Sequence, residues 1–384
     1  MRLLHTSDWH VGRTFHGRDL LADQEAVLGH LAGLVADERI DVVVVSGDLY
    51  DRAVPSAEAV AACTRALSGI RRAGAELVII SGNHDSAQRL GAFGEFAAAG
   101  GLHLRTSIAE LDQPVLLADA SGPVAFYGIP YLEPDPARHA LGMPQLRGHA
   151  GVLTEAMGRI RVDLAQRGPG VRSVVLVHAF VTGGAASESE RTIAVGGIED
   201  VPAAVFDGVD YVALGHLHGA QTLAEHLRYA GSPIAYSFSE ATHRKSVWLV
   251  ELGPAGLHTV ERRELPVPRR LATVRGELAA VLSDPAAEEL TDRYLHAVLT
   301  DPVRPLDAMR RLQERFPFAV RLDWQPDGGQ DRPAPRYASA GHGRDDTQLA
   351  GDFVLDCRGS VPNPAERELL SEAFEAVRKA EAQR

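Results

Sequence analysis

Short apolar runs recur along the first 220 or so positions, and each breaks off at a cluster of acid, amide or imidazole side chains. Arg2–Thr6 leads into Asp8-Trp9-His10, Asp41–Ser46 into Gly47-Asp48, and Glu76–Ser81 into Gly82-Asn83-His84-Asp85. Arg172–Val177 leads into His178, and Tyr211–Leu214 into Gly215-His216-Leu217-His218. The runs are rich in Val, Ile and Leu and too short for helices, so they read as buried parallel strands. Helical segments near Leu20–Glu38 and Ser56–Arg72 separate the first three, a strand–helix–strand pattern that predicts an α/β parallel sheet with short crossovers. Ligands of such sheets bind outside the carboxyl ends of the strands, where all five clusters fall. The clusters are therefore predicted to converge.

Beyond Ser239 the pattern changes. Ser246–Leu252 and Leu257–Leu265 alternate and predict antiparallel strands that close a first domain, residues 1–268. The proline-bearing, basic stretch Pro266-Val-Pro-Arg-Arg270 marks a boundary. Residues 271–325 then predict a small α/β unit: a strand-like piece, a helix near Pro285–Leu290, a strand Tyr294–Leu299, a helix near Pro305–Phe316 and a strand Phe318–Trp324. Residues 326–351, dense in Gly, Pro, Asp, Arg and Ser, bury too little apolar surface to offset their ordering entropy and read as a flexible linker. In the closing segment, 352–384, Phe353–Cys357 predicts a strand. Asn363–Ala382 predicts an amphipathic helix with Leu369, Leu370, Phe374 and Val377 on one side and a capping Asn363 before Pro364. Such a stripe either docks on its own domain or meets a partner.

The residue types at the strand ends suit a two-metal phosphoesterase. Phosphodiester cleavage must stabilise both the attacking and the leaving oxygen of an in-line displacement, which two cations can do when a carboxylate such as Asp48 bridges them. Imidazole nitrogen mixed with carboxylate and amide oxygen favours Mn²⁺, Fe²⁺ or Zn²⁺ over an all-oxygen Mg²⁺ site, and two divalent ions, Mn²⁺ first, are the expected cofactors. No thiolate stands in the clusters, which argues against a structural zinc cage.

The series resembles the calcineurin-like metallophosphoesterase superfamily. Within it, His5-Thr-Ser-Asp8-Trp-His10-Val-Gly12, Ser46-Gly47-Asp48-Leu-Tyr-Asp51 and Ser81-Gly82-Asn83-His84-Asp85-Ser86 resemble the SbcD family, nuclease subunits of bacterial SbcCD complexes. Val177-His178-Ala179-Phe180, Ser187-Glu-Ser-Glu-Arg191, Gly215-His216-Leu-His218 and Gly231–Ser239 extend the likeness. The resemblance implies a sandwich of mixed β-sheets flanked by helices, a small α/β capping domain and a C-terminal helical segment that binds a partner. It places Asp8, His10, Asp48 and His218 on one metal, and Asp48, Asn83, His178 and His216 on the other. His84 matches the catalytic histidine, which donates a proton or hydrogen bond to the leaving oxygen, and Asp85 would orient its ring. The nucleophile would be water activated by the ions. Implied too are 3′ to 5′ exonuclease action on double-stranded DNA ends, endonuclease action on single strands and hairpins, a role in DNA repair and recombination, an SbcC-like ATPase bound through the C-terminal segment, and a homodimer.

Bland readings stand beside these. Asp51 is either an outer partner of the site or a helix-capping acid. His5 reads as a core or outer histidine; His30, His103, His139, His149 and His296 read as solvated or locally bonded. Arg13, Arg18, Arg191 and Lys245 are either surface charges or DNA contacts. Thr182–Thr192, rich in Gly, Ser and Glu, reads as a mobile loop.

Composition restrains the nucleic-acid reading. A formal net charge of −12 over 384 residues does not hold DNA by bulk electrostatics, so that reading needs a local basic groove or a partner. Two cysteines, Cys63 and Cys357, far apart in the sequence, fit free thiols in a reducing compartment. With no apolar run of about 18 residues and no leader pattern, a cytoplasmic protein without a membrane span is expected. A phosphodiesterase or phosphatase for small phosphate esters is the alternative reading.

Overall fold

The computed structural model describes residues 1–190, 201–326, 345–358 and 360–381. The chain forms two units, Met1–Ala272 and Thr273–Arg384.

The first unit is built on two six-stranded sheets. One runs in the order Gly256–Glu264, Ser246–Gly253, Arg2–Thr6, Val42–Ser46, Glu76–Ile80, Leu102–Arg105. Its last four strands are parallel, with Leu4 beside Val43 and Val43 beside Leu77; Ser246–Gly253 lies antiparallel on Arg2–Thr6. The other runs Gln221–Ala224, Leu227–Tyr229, Tyr211–Gly215, Arg172–His178, Gly122–Ile129, Val115–Asp119. Here the four central strands are parallel and both edges antiparallel.

All five predicted motif strands are present, but they divide between the sheets, three in one and two in the other. The local pattern does not specify this, because strands buried on both faces show the same continuous apolar run whichever sheet they join.

Alternation decides which side chains meet. Leu3, Val42, Val44, Val78 and Ile80 of the first sheet pack with Val124, Phe126, Val174, Leu176 and Tyr211 of the second in one apolar cluster between the sheets. The opposite face of the second sheet, with Tyr127, Val175, Val177, Val212 and Leu214, packs against Val152, Leu153, Ala156, Met157 and Ile160 of the helix Gly148–Arg167. The helices Leu21–Asp37 and Ala57–Arg72 pack on each other and bury Val27, Leu31 and Val35, and Ala62, Cys63 and Ile70. The second of them starts at Ser56, whose hydroxyl accepts from the Ala59 N–H, and ends before Gly74 in the left-handed region.

The second unit carries a three-stranded sheet in the order Leu271–Gly276, Tyr294–Leu299, Ala319–Trp324. Leu278, Val281, Leu295, Leu299, Leu312 and Phe316 are buried. Pro285–Leu290 is a 3₁₀ turn. The next helix spans Ala308–Arg315 and starts later than expected, because Asp307 takes a left-handed φ of 52° at its N-cap.

Two expectations need correcting. Phe353–Cys357 is not a strand; it lies in a helix, Asp346–Arg358, which also takes up the last residues of the expected linker. The overlooked signal is a reciprocal cap: the Asp345 carboxylate accepts from the Gln348 N–H, and the Gln348 amide oxygen from the Asp345 N–H. The rest of that linker, from residue 327 to 344, lies outside the described residues. The terminal helix Pro364–Glu381 agrees closely with expectation and is capped in the same way by Asn363 and Glu366. Among the described residues no helix is long and apolar enough to cross a membrane.

Candidate metal centre

The five motif strands end on one side of the sandwich, and the turns after them are drawn together by their backbones. The Asp8 N–H donates to Gly47 O at 3.1 Å and the His10 N–H to Asp48 O at 2.9 Å. Asp8, His10, Asp48 and His216 all have positive φ, at 53°, 45°, 51° and 103°. Such angles are uncommon without glycine and cost on the order of 1–3 kcal/mol each, and they persist where the surroundings over-determine them. Glycines make the approach possible. A Cβ on Gly215 would sit 1.9 Å from Ser46 O, one on Gly82 2.2 Å from Asp48 Oδ1, and one on Gly47 2.4 Å from His178 Nδ1.

The side chains converge around Asp48. Its Oδ2 lies 3.5 Å from His10 Nε2 and 3.5 Å from His178 Nε2. Asp8, His10 and His218 form one group, and Asp8, Asp48 and His178 another, with ligand atoms within 4.8 Å of one another in each. His216 stands beside His178, ring centroids 5.3 Å apart. Asp8, His10, Asp48, His178, His216 and His218 are all buried; Asn83 is half-buried.

These groups fit divalent cations better than they fit one another. The His178 Nδ1–H donates to Ser46 O at 2.9 Å, which leaves Nε2 with its lone pair facing Asn83 Oδ1 at 2.9 Å. Two electron-pair donors thus point into the same space. His10 Nε2 and His218 Nε2 meet at 3.0 Å, and the buried His10 Nδ1 has no hydrogen-bond partner. Burial, and then the neighbouring Asp48 charge, pushes the Asp8 carboxyl well above its ordinary range. Burial also lowers His178 to about 3 and holds His10 and His216 well below the usual imidazole value. Neutral imidazoles and crowded carboxyl groups form a donor set that cations would relieve.

Sequence comparison agrees. A family model described as calcineurin-like phosphoesterase matches residues 1–220, more than half of the chain. The chain belongs to that family. A second model, named for the C-terminal domain of SbcD and described as type 5 capsule protein repressor C-terminal domain, matches residues 267–352 and makes the chain SbcD-like. The structure is also similar to TT1561 of Thermus thermophilus (14% identity, 68% of this chain and 98% of that one, TM-score 0.42). It is similar as well to a dimetal phosphatase from Danio rerio (14%, 70% and 99%, TM-score 0.39). As a member of the family the chain is a metal-dependent hydrolase with a metallophosphoesterase fold, and its His/Asp cluster fits a dinuclear site.

His84 forms a third such group with His10 and Asp48, ligand atoms again within 4.8 Å of one another, but it is anchored from outside the centre. Its N–H donates to Asp48 Oδ1 at 2.9 Å and its Nδ1–H to the Asp51 carbonyl at 2.8 Å, so Nε2 is the nitrogen presented to the centre, 4.0 Å from Asp48 Oδ2. The expectation that Asp85 orients this ring is thereby corrected. The Asp85 carboxylate accepts from the N–H groups of Gly82, Leu49 and Tyr50 and ties two motif loops together; burial, then Asp48, pushes it up to about 7. Asp51 proves to be an outer partner: its carboxylate lies 3.8 Å from His10 Nδ1 and 3.7 Å from Arg13 Nε.

The basic residues separate sharply. Arg13 lines the site, donating to Ser189 O at 2.8 Å and lying over the Tyr236 ring. Arg18 is exposed. Lys245 is not a DNA contact: it is buried and paired with Glu240, and it donates to His218 O and Ser232 Oγ, each at 2.9 Å. Arg191 lies outside the described residues. His149, expected to be solvated or locally bonded, is buried beside the Tyr131 ring. His5 bridges the sheets beneath the site through Tyr211 Oη at 2.9 Å and Leu214 O at 3.2 Å.

Sequence reasoning missed the outer supports. Gln24, from the helix Leu21–Asp37, donates to the carbonyls of Trp9 and His10 and accepts from Gly12 N–H, clamping the first motif loop. Ser187 and Glu190, read as part of a mobile loop, bond each other, and Glu190 accepts from the His218 N–H at 2.8 Å. No local pattern marks Gln24, and residues 187–191 stand out only for their family likeness; the bond from His218 to Glu190 spans 28 residues.

Proposed function

We propose that this chain is a Mn²⁺-activated DNA nuclease, the catalytic subunit of an SbcCD-like complex in DNA repair and recombination. It would act as a 3′ to 5′ exonuclease on duplex ends and an endonuclease on single strands and hairpins. The observation that carries the reading is the placement of Asp48 between buried imidazoles, His10 on one side and His178 on the other, with His84 Nε2 presented beside it, in a chain whose C-terminal part matches the SbcD model. Asp8, His10, Asp48 and His218 would hold one ion and Asp48, Asn83, His178 and His216 the other. When bound, the ions supply positive charge at the attacking and leaving oxygens of the displacement.

The chain's own residues do the rest. Asp51 O pins His84 Nδ1–H and leaves Nε2 facing the centre, where, with the ring protonated at both nitrogens, it would give a proton or hydrogen bond to the departing oxygen and return to neutral imidazole. Asp85 and Gln24 hold the loops from which the donors project, which keeps reacting groups oriented without reorganisation during the reaction. The terminal helix leaves Leu369 and Val377 exposed, which supports docking to an SbcC-like ATPase. Such a partner would also answer the charge objection, since the acidic chain needs help to retain DNA.

Cleavage of end-labelled duplex, single-stranded and hairpin DNA by the purified chain in Mn²⁺ tests this. Cleavage that disappears in His84→Ala with metal content intact supports the reading. Hydrolysis of a bis-aryl phosphodiester with no DNA cleavage, alone or with the ATPase, would sink it in favour of a small-ester phosphodiesterase.

A further inference from the structure

Behind His218 lies a buried chain of hydrogen-bonded polar groups. His218 Nδ1 is 2.6 Å from Ser189 Oγ, and Ser189 Oγ is 2.5 Å from Glu240 Oε1. Glu240 Oε2 pairs with the Lys245 ammonium, whose remaining donors go to His218 O and Ser232 Oγ. Ser189, Glu240 and Lys245 are all buried.

We propose that Glu240 is a positioning residue of the metal centre: through the Ser189 hydroxyl it holds His218 with Nδ1 protonated and Nε2 turned toward His10. The direction of each bond follows from what each atom can do. A carboxylate oxygen only accepts, so the Ser189 hydroxyl must donate to Glu240 and accept on its other side. Ser187 Oγ, 2.8 Å from Ser189 Oγ, gives its proton to Glu190 Oε2, so the group Ser189 accepts from is His218 Nδ1–H, which leaves the Nε2 lone pair facing His10 Nε2 at 3.0 Å. Lys245 compensates the Glu240 charge in the interior, where an unpaired carboxylate would be costly. The same ammonium and Glu190 Oε1 grip the carbonyl and N–H of His218, so ring and peptide are held together. His10 Nδ1 makes no hydrogen bond; the Asp51 carboxylate lies 3.8 Å from it. The ion shared by Asp8, His10 and His218 should therefore depend on Glu240, and the ion on the His178 side should not.

This inference rests on the metal-centre reading, and the test separates the two. Mn²⁺ binding to the full chain is measured by calorimetry and metal analysis, without DNA, for wild type, Ser189→Ala, Glu240→Gln and Asp119→Asn. Asp119 is a control, an ion-paired residue far from the centre. Ser189→Ala and Glu240→Gln are expected to weaken one of two bound ions by about 10–100-fold, as loss of a partner behind a metal-ligating histidine does, and to leave the other ion unchanged. Asp119→Asn is expected to lower Tm while binding both ions like wild type, which a purely structural role for Glu240 would also predict of Glu240→Gln. Should Glu240→Gln fail to fold, Ser189→Ala, which removes a single hydroxyl, decides. Wild-type isotherms for both variants overturn the positioning role alone; a wild-type chain that takes up no Mn²⁺ overturns the metal centre and this inference with it.

Discussion

The strand Arg172–His178 has a polar cluster at each end, and the two clusters are opposites. At its start Arg172, buried, forms a two-point ion pair with Asp119, whose carboxylate also meets the Met1 ammonium, while Arg172 donates further to Gly122 O. Opposite charges meet there, one carboxylate between two cations, and the Arg172 hydrogen bonds hold Asp119 well below the ordinary carboxylate range. At its end His178 joins a group in which carboxylates crowd, imidazoles are kept neutral and lone pairs face one another. The first cluster brings opposite charges together and serves the fold, with only Arg172 Nε left without a hydrogen bond. The second is stressed without a ligand, and stressed burial of this kind marks a site.

Four measurements would break or sharpen that contrast, in falling order of expected effect. His84→Ala should reduce phosphodiester cleavage by about 10²–10⁴-fold, the usual contribution of a positioned proton donor, with metal uptake unchanged; single-turnover kinetics with metal analysis would show it. Asp119→Ala should cost about 3 kcal/mol, since it strands the buried Arg172, whereas Asp8→Asn should make the metal-free protein more stable by relieving repulsion with Asp48. Urea denaturation in chelator checks the opposite signs, and equal signs would erase the distinction between the two ends. Mn²⁺ at about 100 times its dissociation constant should stabilise the wild type by about 2.7 kcal/mol and Asp8→Asn by much less, read as a shift in midpoint.

The smallest effect is on the pH dependence of the metal-free protein. His5 and His178, lowered to about 3, and His10 and His216, also lowered, bind protons in the unfolded chain near pH 6.5 but not in the folded one. Their contribution to stability is present above about pH 6.5 and is lost as pH falls toward the folded values, at up to about 1.4 kcal/mol per pH unit for each proton. Asp8 and Asp85 are raised and act oppositely: their contribution is full below about pH 3.8 and is lost as pH rises through the folded value, about 7 for Asp85. Four imidazoles outweigh two carboxyls, so stability should fall from pH 6.5 to 5; equilibrium denaturation at the two values tests this. Asp119, held low, should contribute no slope in that window.

Much of this was legible in the sequence, and the reason differs from feature to feature. The motif strands announced themselves because a buried strand must be continuously apolar and then stop, and Asp48 and His178 stand where the apolar run stops. The terminal helix was legible because Asn363 and Glu366 form a local cap. The helix at Asp346–Arg358 was misread as linker and strand, although the cap formed by Asp345 and Gln348 was there to be found. Lys245 was misjudged because a lysine in a loop is usually solvated, and nothing near it in sequence reveals that Glu240 turns inward beside it. Asp85 was assigned to the neighbouring ring, while its oxygens went to three backbone N–H groups, two of them on another loop.

The sequence alone determined the strand-and-helix alternation, the donor types and their position at strand ends, because these follow from periodicity and from the chemistry of individual side chains. Only the tertiary structure decided how the strands divide between two sheets, that Asp48 lies between two imidazole groups, and which polar residues stand behind them. Those outcomes depend on contacts between residues as far apart as Asp8 and His216, or Ser46 and His178, whose distances no local pattern encodes.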